Sequence, residues 1–484
     1  MPSLLFLAAF SFLVCFLLTP PVRNALNRWG IHDSPDQLRK RHAQPIPRLG
    51  GVPIMAAVVL SLAVFAVAPF PESQAFRGQW PPLLRWLPGV ALVFAIGVWD
   101  DLVGLKPWQK LAAEAAAASW VYWHGIRIHD LFGVASIPSH WFSFPVTVLW
   151  LVGCANAFNL IDGMDGLASG VGFFATCTML VAALQRKEVL MLSILTAPLA
   201  GALLAFLRFN FNPASMFLGD SGSLVIGFLL GCYGVMWSQK SVTLLGMTAP
   251  LMALAFPIFE ALVSIARRFL RGDPIFAPDR GHIHYRLVDL GLTPRRAVLL
   301  IYAICGALAM VSLVTAIPEF RYSGLVIILF CVVSWLGIQH LGYAEFTEAR
   351  KIILSGTVRQ LIASQSKLRS FRSALERAGS LEQCWNLTVE AVRELGFDYV
   401  ELVLPSGARY QAWLRGPEGA IDHCWTLRIP LGQESERGWI ELARHLDRGE
   451  GYLLLQPLAD TFRAVLPAKI PLARAAATGS GIPA

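Results

Sequence analysis

The sequence predicts an all-α polytopic membrane protein with about eleven transmembrane helices and its N-terminus outside, followed by a small cytoplasmic α+β domain. Three observations carry this prediction. Of 484 residues, 55% are hydrophobic and only 15% charged, whereas a soluble domain has about 25% charged residues. Apolar runs recur through residues 1–341, several long enough as helices to cross roughly 30 Å of hydrocarbon. Beyond Leu341 the composition turns charged and amphipathic. Together these exclude a soluble globular enzyme.

Apolar runs between polar breaks place spans at 3–19, 50–70, 87–99, 108–123, 142–157, 166–184, 189–207, 221–237, 242–266, 297–317 and 324–341. The first begins Met1-Pro2-Ser3 with no basic segment and runs into Thr19-Pro20-Pro21 instead of a small-residue cleavage site. It therefore reads as a retained helix rather than a signal peptide. Residues 342–378 form an amphipathic helical linker, with Phe346, Ile353, Leu361, Leu368 and Leu375 on its apolar side. Ser380 then N-caps a helix through Leu395 that Gly396 stops. Alternating segments follow at Tyr399–Leu404, Tyr410–Arg415, Cys424–Ile429 and Trp439–Ala443, with a last helix near Leu455–Val465. Residues 379–470 are thus expected to form a small α+β domain, GAF-like in element order, and 471–484 a disordered tail.

Eight cysteines are scattered without CxxC spacing, which argues against a zinc site or a disulfide framework. The formal charge of +8 divides unevenly: residues 1–341 carry 23 Lys+Arg and 16 Asp+Glu, residues 342–484 carry 17 and 16. The excess belongs to the membrane part, so it points to topology and anionic partners and not to nucleic acid. Loops after odd-numbered spans hold sixteen basic residues and those after even-numbered spans seven. Basic residues favour the cytoplasmic side, which puts the odd loops and the C-terminal tail inside.

One consequence follows independently. Asp100, Asp101, Asp162, Asp165, Asp220, His282 and His284 all fall in odd loops or at their edges, whereas the outer loops hold only Glu72, Asp130, Glu188 and Glu319. A carboxylate at mid-bilayer costs about 2.5–3.5 kcal/mol on insertion scales, so acidic segments gathered at one interface suggest a shared site.

Four segments carry the chemistry. Asp100-Asp101 closes the third span ahead of Gly104 and Lys106; paired carboxylates can serve a metal and a substrate, although such a pair before glycine is also a common helix-ending turn. Asn156, Asn159, Asp162 and Asp165 recur every three residues with two Asp-Gly steps. Oxygen ligands so spaced suit a hard cation such as Mg²⁺, which one or two carboxylates hold together with substrate phosphates. Asp220 stands between small residues in Leu218-Gly219-Asp220-Ser221-Gly222, where it or Ser221 could equally cap the next helix. His282-Ile283-His284 lies among seven arginines, including Arg268. Too few ligands are in view for zinc, and the guanidinium groups suit diphosphate oxygens. Glu114 and Glu260, inside predicted spans, read as buried, partnered carboxylates.

In their order and placement these motifs resemble the polyprenyl-phosphate N-acetylhexosamine-1-phosphate transferases, the MraY/WecA superfamily or glycosyltransferase family 4. The resemblance covers residues 1–341: Arg41-His42 leading to Pro47-Arg48-Leu49-Gly50-Gly51, then Asp100-Asp101, Asn159–Asp165, Phe217-Leu218-Gly219-Asp220 and His282-Ile283-His284. The form Asp279-Arg280-Gly281-His282-Ile283-His284 is closer to the WecA/TagO branch, with Tyr285 where that branch usually has a further histidine. The resemblance implies transfer of a sugar-1-phosphate, GlcNAc-1-phosphate foremost, from a UDP-N-acetylhexosamine to undecaprenyl phosphate with release of UMP. It places the enzyme in the bacterial inner membrane with its site toward the cytoplasm, at the start of cell-envelope polysaccharide synthesis. It implies Mg²⁺, with Mn²⁺ as a substitute, held by Asp220 and by Asn159 or Asp162. By the same resemblance Asp100, Asp101, Asp162, His282 and His284 are catalytic, while Asn156, Asp165, Arg48 and Arg268 bind substrate. Membrane lipid, a second copy of the chain in a homodimer and a regulatory partner for the C-terminal domain complete the expected associations.

Two rivals are weaker. Asp162-Gly163-Met164-Asp165-Gly166-Leu167-Ala168 begins like the metal motif of the CDP-alcohol phosphatidyltransferases, but Ser169 stands where their arginine belongs. An ion-coupled or lipid-linked transporter would need polar residues continuing toward the outer face and internal repeats; neither is visible. The family role for Asp100 is a base that deprotonates the lipid phosphate, yet a phosphate monoester with a second pKa near about 6 is already mostly dianionic at neutral pH. A pH series on Asp100→Asn separates the roles: a deficit that shrinks as pH rises marks a base, and an unchanged profile with a raised Mg²⁺ requirement marks a positioning group.

Overall fold

A computed structural model describes residues 2–32, 45–78, 80–128, 140–185, 190–238, 248–271, 273, 281–315, 317, 322–343, 345–346, 368–414, 424–431, 438–445 and 457–467. The chain divides into two compact units, Met1–Phe346 and Thr347–Ala484. Arg41, His42, Asp279, Arg280 and the tail 471–484 lie outside the described residues, as does most of the linker 342–378.

The first unit is helical: α1 Pro2–Trp29, α2 Gly51–Val67, α3 Pro71–Gly78, α4 Trp80–Val103, α5 Pro107–Trp123, α6 His140–Ile161 and α7 Leu167–Leu184. It continues with α8 Leu190–Asn210, α9 Asp220–Ser238, α10 Thr248–Ala253, α11 Ala255–Arg271, α12 Ile283–Asp289, α13 Pro294–Thr315 and α14 Ser323–His340. A helix lies on each of the eleven apolar runs, but by length and composition only seven (α1, α4, α6, α7, α8, α9 and α13) are candidate membrane spans among the described residues. The pair α2 and α3, bent by 108°, makes an eighth if taken as one span. The difference has physical causes. Helices α2, α5 and α11 have 17 residues each, at the lower limit for crossing a bilayer. The ninth expected span is also broken between Ala253 and Ala255, and its residues 242–247 lie outside the described ones.

Helix α1 runs ten residues past the expected break, with Pro20 and Pro21 inside it. Each proline removes a backbone donor. The carbonyls left without their i+4 amide are those of Phe16 and Leu17; the Thr19 hydroxyl bonds one residue earlier, to the Cys15 carbonyl at 2.7 Å.

Helix α9 is the axis of this unit. Ser221 through Val235 are all buried, because the helix has apolar or small residues on every face and packs against α4 and α6. Small residues let membrane helices approach closely. A Cβ added at Gly227 would meet the Cys154 carbonyl oxygen of α6 at 2.4 Å. The N-terminus of α9 is thereby held against the C-terminal ends of α4 and α6, where the predicted acidic motifs lie.

The second unit carries helix Leu381–Glu394, whose N-cap Ser380 accepts from the Gln383 amide at 3.2 Å, and Gly396 follows it with φ +84°. Its sheet is antiparallel in the order β2-β1-β4-β3, with β1 Tyr399–Val403, β2 Arg409–Trp413, β3 Cys424–Pro430 and β4 Trp439–His445. Tyr399 faces Trp413 on one side and Ala443 on the other. Helical residues 368–377 and 457–467 share its core through Leu375 and Phe462. The expected strands and the capped helix are therefore present.

Overpacking a tight contact costs typically 1–3 kcal/mol. Gly227→Leu should accordingly lower the thermal midpoint of the purified protein in detergent by roughly 5 °C, read by loss of helical circular dichroism, while an exposed change such as Leu325→Ala leaves it in place.

Candidate active site

The site is built around the first turn of α9. Gly219 precedes it with φ +72°, a conformation glycine adopts freely, and a Cβ there would fall 2.5 Å from Asp101 Oδ2. Asp101, near the end of α4 and only 7% exposed, accepts the Asp220 amide on Oδ1 at 2.9 Å and the Ser221 amide on Oδ2 at 3.0 Å. These are two of the donors that a helix start leaves unpaired. Asp101 thus caps α9 from another helix and leaves the Asp220 side chain for other work.

That carboxylate is shared. Asp220 Oδ1 accepts from Asn159 Nδ2 at 2.9 Å, and Oδ2 from Lys110 Nζ at 2.7 Å. Lys110 also donates to Asp100 Oδ2 at 3.2 Å, and Asp100 Oδ1 takes the Leu105 amide at 2.7 Å. Asn159 Nδ2 reaches Ser223 Oγ at 3.1 Å as well. Asp100, Lys110, Asp220 and Asn159 therefore form a continuous polar chain contributed by α4, α5, α9 and α6. The segment before Asp220 is pinned to residues 47–51: Phe217 N donates to Pro47 O at 2.8 Å and Gly50 N to Phe217 O at 3.0 Å. Within it Leu49 has φ 98°, a strained conformation for a non-glycine residue. The neighbouring Arg48 acts electrostatically on Asp101.

Asp162, one residue beyond α6, accepts from the Gly219 amide. Burial, together with the charges of Asp220, Asp101 and Asp165, pushes its carboxyl well above the usual range. Asp165 Oδ2 receives Asn212 Nδ2 and the Ala214 amide, each at 3.0 Å, tying the Asp162–Asp165 turn to the segment that leads into α9. Asn156 lies one turn deeper on α6; its Nδ2 donates to Glu114 Oε2 and to the Val152 carbonyl at 2.9 Å.

The His282–His284 segment closes over this turn. His284 is fully buried and stacks on His282 with ring centroids 5.4 Å apart. A Cβ at Gly163 would lie 2.7 Å from His284 Nε2, and Tyr285 OH donates to the Gly163 carbonyl at 3.0 Å. Burial foremost, with His282 beside it, pushes His284 down to about 3. Arg268 is largely buried beside Arg267 at the end of α11. The Arg267 guanidinium lies over the Tyr343 ring at 5.4 Å, and Tyr343 OH donates to the Gly281 carbonyl at 2.9 Å.

Of the residues singled out in the sequence, Asp100, Asp101, Asn159, Asp162 and Asp220 converge directly. His284 reaches the same turn, and Asn156 and Asp165 brace it. Lys110 is one of the sixteen basic residues assigned to the odd loops and is not among the site residues expected from the sequence. Its available signal was that Lys110 and Glu114, four apart, are the charged positions of an otherwise apolar or neutral α5. Glu114 and Glu260 are buried and partnered as expected.

Four carboxylates faced by Lys110 and Arg48 leave an excess of negative oxygen, a donor set suited to a hard cation. Among the described residues no three His, Cys, Asp or Glu side chains form a ready-made metal cage. A cation completed by substrate phosphates needs only one or two carboxylates, and Asp220 with the amide oxygen of Asn159 meets that need.

Comparison with known proteins gives the following. Residues 83–238 match the model of glycosyl transferase family 4. The chain is 36% identical over 298 residues to the probable undecaprenyl-phosphate N-acetylglucosaminyl 1-phosphate transferase of Bacillus subtilis, covering 61% of this chain and 80% of that protein. It is 32% identical over 323 residues to the decaprenyl-phosphate N-acetylglucosaminephosphotransferase of Mycobacterium tuberculosis, covering 61% and 78%. It is 30% identical over 281 residues to the undecaprenyl-phosphate alpha-N-acetylglucosaminyl 1-phosphate transferase of Thermotoga maritima, covering 56% and 78%.

Two outcomes are expected. Lys110→Met leaves the partly buried Asp100 and Asp220 facing each other without their shared cation; loss of one positioned electrostatic group from a reaction site costs about 100-fold or more in rate, so turnover should fall at least about 100-fold with the helical circular dichroism retained. Because His284 titrates near 3 in the folded protein against an ordinary 6.5, the unfolded chain binds the extra proton in between. Stability is then lost as pH falls from about 6.5 toward 3. Melting curves of His284→Gln against pH should show a shallower acid limb than the wild type.

Proposed function

The chain belongs to glycosyl transferase family 4, the polyprenyl-phosphate hexosamine-1-phosphate transferases, and on that premise we propose that it transfers GlcNAc-1-phosphate from UDP-GlcNAc to undecaprenyl phosphate. The products are undecaprenyl-diphospho-GlcNAc and UMP. The observation that carries this reading is the polar chain Asp100–Lys110–Asp220–Asn159, assembled from four helices at one end of the bundle. A water-soluble nucleotide sugar and a lipid phosphate can meet only at a membrane face. The printed names of the relatives, each acting on a polyprenyl phosphate and an N-acetylglucosamine phosphate, support the same substrates here.

In this reading Lys110 and Arg48 receive the lipid phosphate beside Asp100. His282, His284 and Arg268 bind the diphosphate of the donor, and Asp165 shapes the wall of the nucleotide pocket. Asp220 and Asn159 would hold Mg²⁺, or Mn²⁺ in its place, which would supply charge neutralisation for the diphosphate. Asp101 keeps Asp220 in place through the Asp220 and Ser221 amides, and Asp162 lines the same turn.

The sixteen-to-seven bias of basic residues between alternate loops supports an N-terminus outside and the site toward the cytoplasm of a bacterial inner membrane. Nucleotide sugars are made on that side. The C-terminal unit, GAF-like in its element order, takes a regulatory or partner-binding role, and the product feeds envelope polysaccharide synthesis.

Membranes containing the protein, given radiolabelled UDP-GlcNAc, Mg²⁺ and undecaprenyl phosphate, should place label in a lipid diphosphate and release UMP one for one. Label that accumulates only inside closed vesicles, with no UMP, overturns the reading in favour of transport.

A further inference from the structure

A single oxygen of Glu260 performs two tasks. Glu260 lies on α11, is 1% exposed, and its Oε1 stands 3.0 Å from His282 Nδ1 and 2.8 Å from the amide of Ile283. Ile283 is the first residue of α12 and His282 its N-cap, whose own side chain caps nothing. The carboxylate therefore supplies the cap that the local sequence lacks and takes hold of the histidine ring at the same time. An acceptor at Nδ1 places the proton of a neutral ring on that nitrogen, leaving Nε2 for a substrate.

We propose that Glu260 is a positioning residue for the transfer reaction: through His282 Nδ1 and the Ile283 amide it sets the tautomer and the orientation in which His282 meets the donor diphosphate. The reaction part of this rests on the function proposed above; the tautomer does not. The arrangement repeats the logic of Asp101 and Asp220, in which a buried carboxylate on one membrane helix caps the start of another helix that carries a site residue. Among the described residues, the His282 ring also has His284 and Tyr285 of α12 beside it. Tyr343 and Arg267 hold the adjacent Gly281. None of these places an acceptor on Nδ1.

The test uses the full chain purified in detergent, with ¹⁵N-labelled histidine and the His282 signals identified by their loss in His282→Ala. At a pH where the ring is neutral, the wild type should show the Nδ1–H form, Glu260→Gln should keep it because its amide oxygen still accepts, and Glu260→Ala should shift toward Nε2–H. An Nε2–H ring in the wild type, or a tautomer indifferent to Glu260→Ala, overturns the proposal whether or not the protein is a transferase. In the UMP-release assay Glu260→Ala should lower kcat roughly 10–100-fold, as loss of such orienting partners does at histidine sites, and Glu260→Gln by only a few-fold. Added to His282→Ala, Glu260→Ala should cost less than about two-fold more. Full additivity of the two losses would assign Glu260 a general structural role instead.

Discussion

Everything at this site depends on the way Asp101 receives the amides of Asp220 and Ser221. A helix that begins within a packed site leaves amide donors unpaired, and a buried one left unsatisfied costs about 1–3 kcal/mol. The usual remedy is a capping side chain at the helix's own start. Here the chain approaches α9 through Gly219, which has no side chain, and the cap comes from α4. The remedy is charge-assisted, hence stronger than a neutral cap. It frees the first residue of α9 to present its carboxylate to Lys110 and Asn159.

From that arrangement the electrostatics follow. Four aspartates are drawn into one corner, more negative charge than Lys110 and Arg48 offset. Burial and the neighbouring charges push the Asp162 carboxyl well above the usual range, and Lys110 and Asn159 each donate to one oxygen of Asp220. The histidine segment answers from the other side. Glu260 fixes His282, and His284 is buried over Gly163, so the residues that would meet phosphate are held by contacts that do not themselves include phosphate.

Much of this was legible in the sequence, and the reasons are local. The three-residue recurrence of Asn156, Asn159, Asp162 and Asp165, the Asp100-Asp101 pair and the His282-Ile283-His284 triplet are short-range patterns that survive without a fold. So are the Ser380 cap and the alternating strands of the second unit. The unread parts were long-range. Asp101 and Asp220 are 119 residues apart, and Lys110 reaches Asp220 across 110; nothing in periodicity announces such partners. The apolar run ends at Thr19, before Pro20 and Pro21, whereas α1 continues through both to Trp29. The bend of 108° between α2 and α3 is likewise invisible in a hydropathy run that continues to Phe70.

The central claim is that Asp101 acts by orienting Asp220 and not by touching substrate. The direct measurement is Mn²⁺ binding, read by electron paramagnetic resonance on the purified protein with UDP-GlcNAc present and no lipid phosphate, for the wild type and for Asp101→Asn. Asparagine sets an NH₂ donor against one of the two α9 amides, so the account predicts that affinity falls at least about ten-fold, in step with Asp220→Asn, while helical circular dichroism is unchanged. Mn²⁺ affinity equal to wild type in Asp101→Asn, alongside its loss in Asp220→Asn, would contradict it.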